Sequence, residues 1–175
     1  YWHYFSFTIE QNQIAMKNFD WTSFTKKIAV KAPMSHIYDA WTQPAEIEKW
    51  FLKTARYKDE SGIEVAMDAS VTTGMQYEWS WFLYSEIEKG MITVANGKDH
   101  FQFTFAGQCT VDVKLTEEYE HTVVELIQSN IPTDDASKQD IRLGCSSGWS
   151  FYLVNLKSVY QGGLDLRSKD ERLRP

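Results

Sequence analysis

From Met75 to Gln128, apolar and polar residues alternate with period two through successive short runs; past Trp149 the period changes once, to that of a helix. A chain patterned this way builds a sheet with one apolar face and must cover that face with one helix. Met75, Tyr77, Trp79 and Trp81 share one side of the first run, with Gln76, Glu78 and Ser80 on the other. A strand over residues 90–95 follows, then Phe101, Phe103 and Phe105 alternate with Gln102 and Thr104. Cys109, Val111, Val113 and Leu115 alternate with Thr110, Asp112, Lys114 and Thr116, and Val124, Leu126 and Gln128 continue the inward register. Asn96-Gly97, read as a two-residue hairpin, Ala106-Gly107 and residues 117–121 are the turn signals between them. Turns this short join antiparallel neighbours, so the runs form a meander.

Upstream, the alternation of Phe24, Lys26, Ile28 and Val30 reads as a first strand that Pro33 ends. Ser35 is placed to cap a short helix through Trp41, and Pro44 opens a second through Phe51. Weaker strand signals occupy residues 54–59 and 63–67. At the far end Trp149, Tyr152, Leu153, Leu156, Val159 and Tyr160 recur every three to four residues, and Gly162-Gly163 ends the helix. The expectation is an α+β domain: a strongly curved antiparallel sheet wrapped around the long C-terminal helix, with two short helices (about 35–42 and 44–51) closing one end. With 175 residues, one core suffices. Met16-Lys17-Asn18 resembles an initiation site, so residues 1–21 are read as an N-terminal extension or expression remnant, 22–163 as the domain, and 164–175 as a frayed or surface tail.

Lys plus Arg number 18 and Asp plus Glu 24, a net charge of -6 that argues against nucleic acid as a partner. The apolar runs fall short of the roughly 18 residues of a membrane span, and Tyr1 to Phe7 lack the basic start of a signal peptide. Membrane insertion and export are therefore not expected. Cys109 and Cys145 are the only cysteines and form no CxxC pair, so neither a disulfide framework nor a zinc site is indicated, and the expected location is cytoplasmic.

Gly144-Cys145-Ser146-Ser147-Gly148 carries the letters of a nucleophile elbow, a motif that needs a buried strand before it and a histidine after it. Residues 137–143 are largely polar, and His3, His36, His100 and His121 all precede Ser146, so the segment reads as a loop or first helical turn. A lone Cys145 reads as a small hydrophobe. The histidines share no face and assemble no metal site, and the clusters at Asp134-Asp135, residues 117–120 and Glu46/Glu48 read as solvated charge. No catalytic residue, metal or cofactor is assigned, and an enzymatic role is not the favoured reading.

Several segments together carry a family resemblance: Ala32-Pro33, residues 37–44 (IYDAWTQP), Trp50-Phe51, residues 74–79 (GMQYEW), Phe103-Thr104-Phe105, and Gly148-Trp149 with Leu153 and Leu156. From Phe24 to Gly163 the chain resembles the START-like (SRPBCC) helix-grip superfamily, known also from the birch pollen allergen. Within it the chain is similar to the branch named for the C-terminal domain of the activator of the heat-shock-protein-90 ATPase. It departs at Thr73, where the family often has the first of two glycines. The resemblance implies the helix-grip fold and, for one eukaryotic relative, contact with a chaperone. It leaves the chemistry open, since lipid carriers, cyclases and co-chaperones share the scaffold.

Three functional readings follow. The first is binding of an apolar or aromatic small molecule in a closed or gated cavity between sheet and helix. Its walls would be Tyr77, Trp79, Trp81, Phe103, Phe105, Val113, Leu126, Gln128, Trp149, Tyr152, Leu153 and Leu156. Gln128 is the polar member, whose amide needs a partner: a ligand, a trapped water, Tyr77, Tyr152 or backbone. The second is a stress-related, co-chaperone-like protein acting through protein–protein contact, although this chain alone is not expected to accelerate a chaperone's ATP hydrolysis. The third is a cyclase- or hydrolase-type enzyme, which would need two ionisable groups facing the cavity, and the inward strand registers offer none.

Overall fold

The computed structural model describes residues 19–173; the expected initiation site and residues 1–15 lie outside them. Strand β1 (Phe24–Val30) leads into helices α1 (Met34–Thr42) and α2 (Pro44–Trp50). The remaining strands are β2 (Thr54–Lys58), β3 (Gln76–Ser80), β4 (Ile87–Ala95), β5 (His100–Phe105), β6 (Cys109–Glu118) and β7 (His121–Ser129), and helix α3 (Ser146–Tyr160) comes last. All seven strands form one antiparallel sheet in the order β1-β7-β6-β5-β4-β3-β2. The α1–α2 connection thus carries the chain from one edge of the sheet to the other.

The register explains the core. Val111 faces Phe103 and Gln128, and Val113 faces Phe101 and Leu126, so one side chain in two from three adjacent strands points the same way. All six are buried. Trp79 and Tyr77 extend this surface, their rings stacked at 3.9 Å. Leu153, Leu156 and Trp149 of α3 are buried against it, as are Ile37, Trp41, Ile47 and Trp50 of the short helices. The sheet, the long helix and the two end-closing helices are as the periodicities predict.

Three local expectations are corrected. Residues 63–67 form no strand: Glu64 makes a single bridge to Lys58, and Val65 N–H donates to the Tyr57 carbonyl. Asn96-Gly97 is not a two-residue hairpin, because Asn96 Oδ1 accepts from the N–H groups of Lys98, Asp99 and His100 and so organises a longer loop. The chain before α3 is helical too, with Asp135–Ser137 and a π-helix over Lys138–Cys145 running into it. Of the expected N-terminal extension, Phe19 and Trp21 lie beside this π-helix, with the Arg142 guanidinium 4.7 Å from the Phe19 ring and Lys138 5.8 Å from Trp21.

One glycine is required by close packing. Tyr77 lies opposite Gly90 and reaches across it to donate its hydroxyl proton to the Thr104 carbonyl on β5. A Cβ at Gly90 would stand 2.6 Å from the Tyr77 ring and hydroxyl and from Thr104 Oγ1. Gly90→Ala is therefore expected to lower stability by about 1–3 kcal/mol, the usual range for overpacking, as read by chemical denaturation. An unchanged midpoint would show that Tyr77 can move aside without cost.

Candidate functional site

Trp149, in the first turns of α3, is the side chain around which the site is built. Its indole N–H donates to Gln128 Oε1 at 3.0 Å in the core. Its ring lies 4.9 Å from Phe51, 5.5 Å from Phe105 and 5.9 Å from Trp41. Phe51 also meets Tyr152 at 4.8 Å and Trp81 at 5.5 Å, both edge-to-face. Between these rings, the π-helix and the β3–β4 loop lies a cavity of about 940 Å3, open to solvent rather than closed. Phe51, Trp81, Tyr84, Phe105, Trp149 and Tyr152 form its aromatic wall, and Glu86, Glu88 and Asp140 are its acidic members.

The wall is held by the segment expected to be a loose tail. Arg167, whose side chain is only 5% exposed, donates to the carbonyls of Leu52, Glu48 and Lys49 at 2.8–2.9 Å and so closes the C-terminal end of α2 next to Phe51. A cation there also complements the helix dipole. Asp165 holds the guanidinium, and Asn155 of α3 binds both Asp165 and the Trp50 carbonyl. Arg167 and Lys169 stand 5.3 and 5.1 Å from the Phe82 ring, in the loop that carries Trp81 and Tyr84. In the same loop Leu83 sits at φ 69°, a conformation uncommon for a branched side chain, so surrounding packing holds this turn.

The structure separates the twelve residues expected to line the cavity into two groups. Trp81, Phe105, Trp149 and Tyr152 line it. Tyr77, Trp79, Phe103, Val113, Leu126, Gln128, Leu153 and Leu156 are buried in the core and do not. Gln128 finds its hydrogen bond in Trp149 rather than in Tyr77, Tyr152 or backbone. Its Nε2 makes no hydrogen bond of ordinary geometry; it faces the sulfurs of Cys109 and Cys145, whose thiolate forms it would favour.

The expectation that no ionisable groups face the cavity is corrected: Glu86 comes from a loop and Asp140 from the π-helix, where alternation carries no facing information, and Glu88 stands opposite the buried Trp79 in a strand that begins three residues before the expected start at Gly90. Burial pushes the Glu88 carboxyl above its ordinary range, against the Ala106 N–H that donates to it at 2.7 Å. Burial also pushes the Cys145 thiol up to about 11, against the Gln128 amide, so the sulfur is protonated at neutral pH. Ser146 opens α3 with no strand before it. His100 pairs with Asp112, and His121 with the Tyr119 carbonyl, neither at the cavity. Among the described residues no group of three His, Cys, Asp or Glu could hold a metal ion. A second cleft, of about 460 Å3, lies between residues 31–33 and 117–122, but its lining is mostly charged and polar, and Tyr119, at 94% exposed, builds no wall.

A seven-stranded antiparallel sheet gripping one long C-terminal helix, with two short helices after the first strand, defines the helix-grip, START-like class. Over residues 31–161 the chain matches the family described as "Activator of Hsp90 ATPase homolog 1-like protein", and it belongs to that family. Among solved structures it is similar to a protein from Staphylococcus saprophyticus at TM-score 0.66 and 19% identity, over 83% of this chain and 96% of the other. It is similar to the Aha1 protein of Colwellia psychrerythraea, whose structure is that of a dimer, at TM-score 0.61 and 18% identity, over 81% and 97%. It is also similar to an Hsp90 activator from Plasmodium falciparum at TM-score 0.57 and 18% identity, over 81% and 96%. No curated protein matches the chain by sequence. Among the described residues no helix is long and apolar enough to cross a membrane.

The tail contact is testable through pH. Burial works against ionisation of Asp165, but Arg167, Lys169 and Asn155 outweigh it and hold the carboxyl well below its ordinary range. A carboxyl whose pKa falls on folding stabilises the folded state above the unfolded value, about 3.9, and that contribution is lost as pH drops below it. Asp165→Asn should cost about 1–2 kcal/mol at pH 7, as removal of charge-assisted hydrogen bonds does, and the gap to wild type should narrow toward pH 2. Thermal midpoints across pH measure both. A gap independent of pH would show that the ionised pair contributes nothing.

Proposed function

We propose that the protein binds a small molecule with an apolar or aromatic body in the cavity between α3 and the sheet. The observation that carries this reading is the cavity itself: about 940 Å3, walled by six aromatic side chains, with Glu86, Glu88 and Asp140 as its charged groups. Small-molecule sites commonly span about 300–1,000 Å3 with mostly apolar linings. Burying roughly 200 Å2 of ligand apolar area at about 25 cal/mol per Å2 gives on the order of 5 kcal/mol before association costs, so an unoptimised probe binds in the micromolar to millimolar range. Binding is favoured over turnover because the cavity's thiol is protonated, and nucleophilic catalysis needs an activated nucleophile.

The test is titration with a neutral aromatic probe, N-phenyl-1-naphthylamine, followed by tryptophan emission and probe fluorescence. Trp81 is only partly buried, so Trp81→Ala should leave the fold intact. It should weaken the probe by about tenfold, the effect of removing one well-packed aromatic contact of about 1.4 kcal/mol. Saturable binding that ignores Trp81→Ala would place the probe elsewhere.

Family membership and the resemblance to the Hsp90 activator from Plasmodium falciparum favour a second reading, contact with a chaperone through the outer surface. A coupled ATPase assay separates the two. This chain alone is expected to leave chaperone turnover unchanged, and a dose-dependent stimulation would favour the second reading.

A further inference from the structure

The charges at the cavity point to one kind of ligand. Glu86, Glu88 and Asp140 line it, and among the described residues no lysine, arginine or histidine does. The three approach from different elements, so their convergence is a product of the fold rather than of a sequence run. Among the described residues, the Glu86 and Asp140 side chains make no ion pair or hydrogen bond, and the hydrogen-bond donor to the Glu88 side chain is the Ala106 N–H. The cations nearest in sequence are engaged elsewhere: Lys89 with Glu78, Lys138 with Asp135, and Arg142 with the Phe19 and Phe24 rings and the Asp20 carbonyl. Glu86 and Asp140 thus carry carboxylates at the exposed side of the cavity and Glu88 a half-buried one, and a positive charge bound beside the apolar wall would be attracted to all three. The wall suits the same charge, because the faces of Trp and Tyr rings attract cations, more strongly once water is excluded. Anionic amphiphiles meet the opposite field. Gln128 Nε2, which makes no hydrogen bond, does not line the cavity; Trp149 and Cys145, which it adjoins, stand on the lining.

We propose that the ligand is an organic cation, an amine or quaternary ammonium on an apolar or aromatic body, with its body against Trp81, Phe105 and Trp149 and its charge toward Glu86, Glu88 and Asp140. This assignment rests on the cavity-binding reading and narrows its ligand class.

The test uses three probes of one body: trimethyl(naphthalen-1-ylmethyl)ammonium, neutral 1-naphthalenemethanol and anionic 1-naphthaleneacetate, titrated against the full chain by calorimetry. The cation should bind about tenfold tighter than the alcohol, since a cation–π contact plus partly screened charge pairs is worth about that factor. The anion should bind weakest, and added salt should weaken the cation alone. Glu86 and Asp140 are exposed, so the double variant Glu86→Gln, Asp140→Asn should fold normally. It should bring the cation down to the affinity of the alcohol while leaving the alcohol unchanged. Equal binding of cation and alcohol, or a cation unaffected by the double variant, overturns the ligand class while leaving the cavity reading standing. Failure of all three probes to bind overturns both.

Discussion

The contact between Trp149 and Gln128 joins the two halves of this molecule. One helix can cover a curved sheet only if something fixes its rotation and its height, and non-directional apolar packing does neither. The indole N–H of Trp149 donating to Gln128 Oε1, both side chains buried, fixes both. An unmade bond there would leave two polar groups stranded in the core, a cost of about 1–3 kcal/mol each. With Trp149 so placed, its ring meets Phe51 at the end of α2, Phe105 from β5 and Trp41 from α1, and the end-closing helices are drawn onto the same point.

The cavity follows from that arrangement. Deep in the sheet, Tyr77, Trp79 and Phe103 pack ring against ring and leave little room. Toward the start of α3 the β3–β4 loop and the turn after β5 stand opposite the helix, and the space between them stays open. The C-terminal segment then acts as a brace. Arg167 ties the end of α2, and with Lys169 it flanks Phe82, so the two walls that carry Phe51 and Trp81 are held from one place.

Period-two and period-three-to-four patterns made the seven strands, the long helix and its buried face legible, because burial on one side writes itself into alternating positions. They could not separate Trp81, Phe105, Trp149 and Tyr152, which lie at the open cavity, from Tyr77 or Leu126, which lie in the core: a stripe shows which face is inward, not where the packing stops. Glu86 and Asp140 were not legible at all, since a loop and a π-helix have no period that assigns a facing direction. Arg167 was hidden in a tail of mixed charge, where its role depends on carbonyls more than a hundred residues earlier in the chain. The signal that could have flagged it is Asn155, a polar residue within the apolar stripe of α3, whose amide required partners that Asp165, the Trp50 carbonyl and the Leu166 N–H supply.

The claim that the space beside Trp149 is a ligand site is tested most directly by intermolecular nuclear Overhauser effects with a bound naphthyl probe. The account predicts contacts from the probe's ring protons to the indoles of Trp81 and Trp149 and to the Phe105 ring, with none to residues 117–122. Contacts confined to the β6–β7 hairpin, or to the outer face of the sheet, would contradict it.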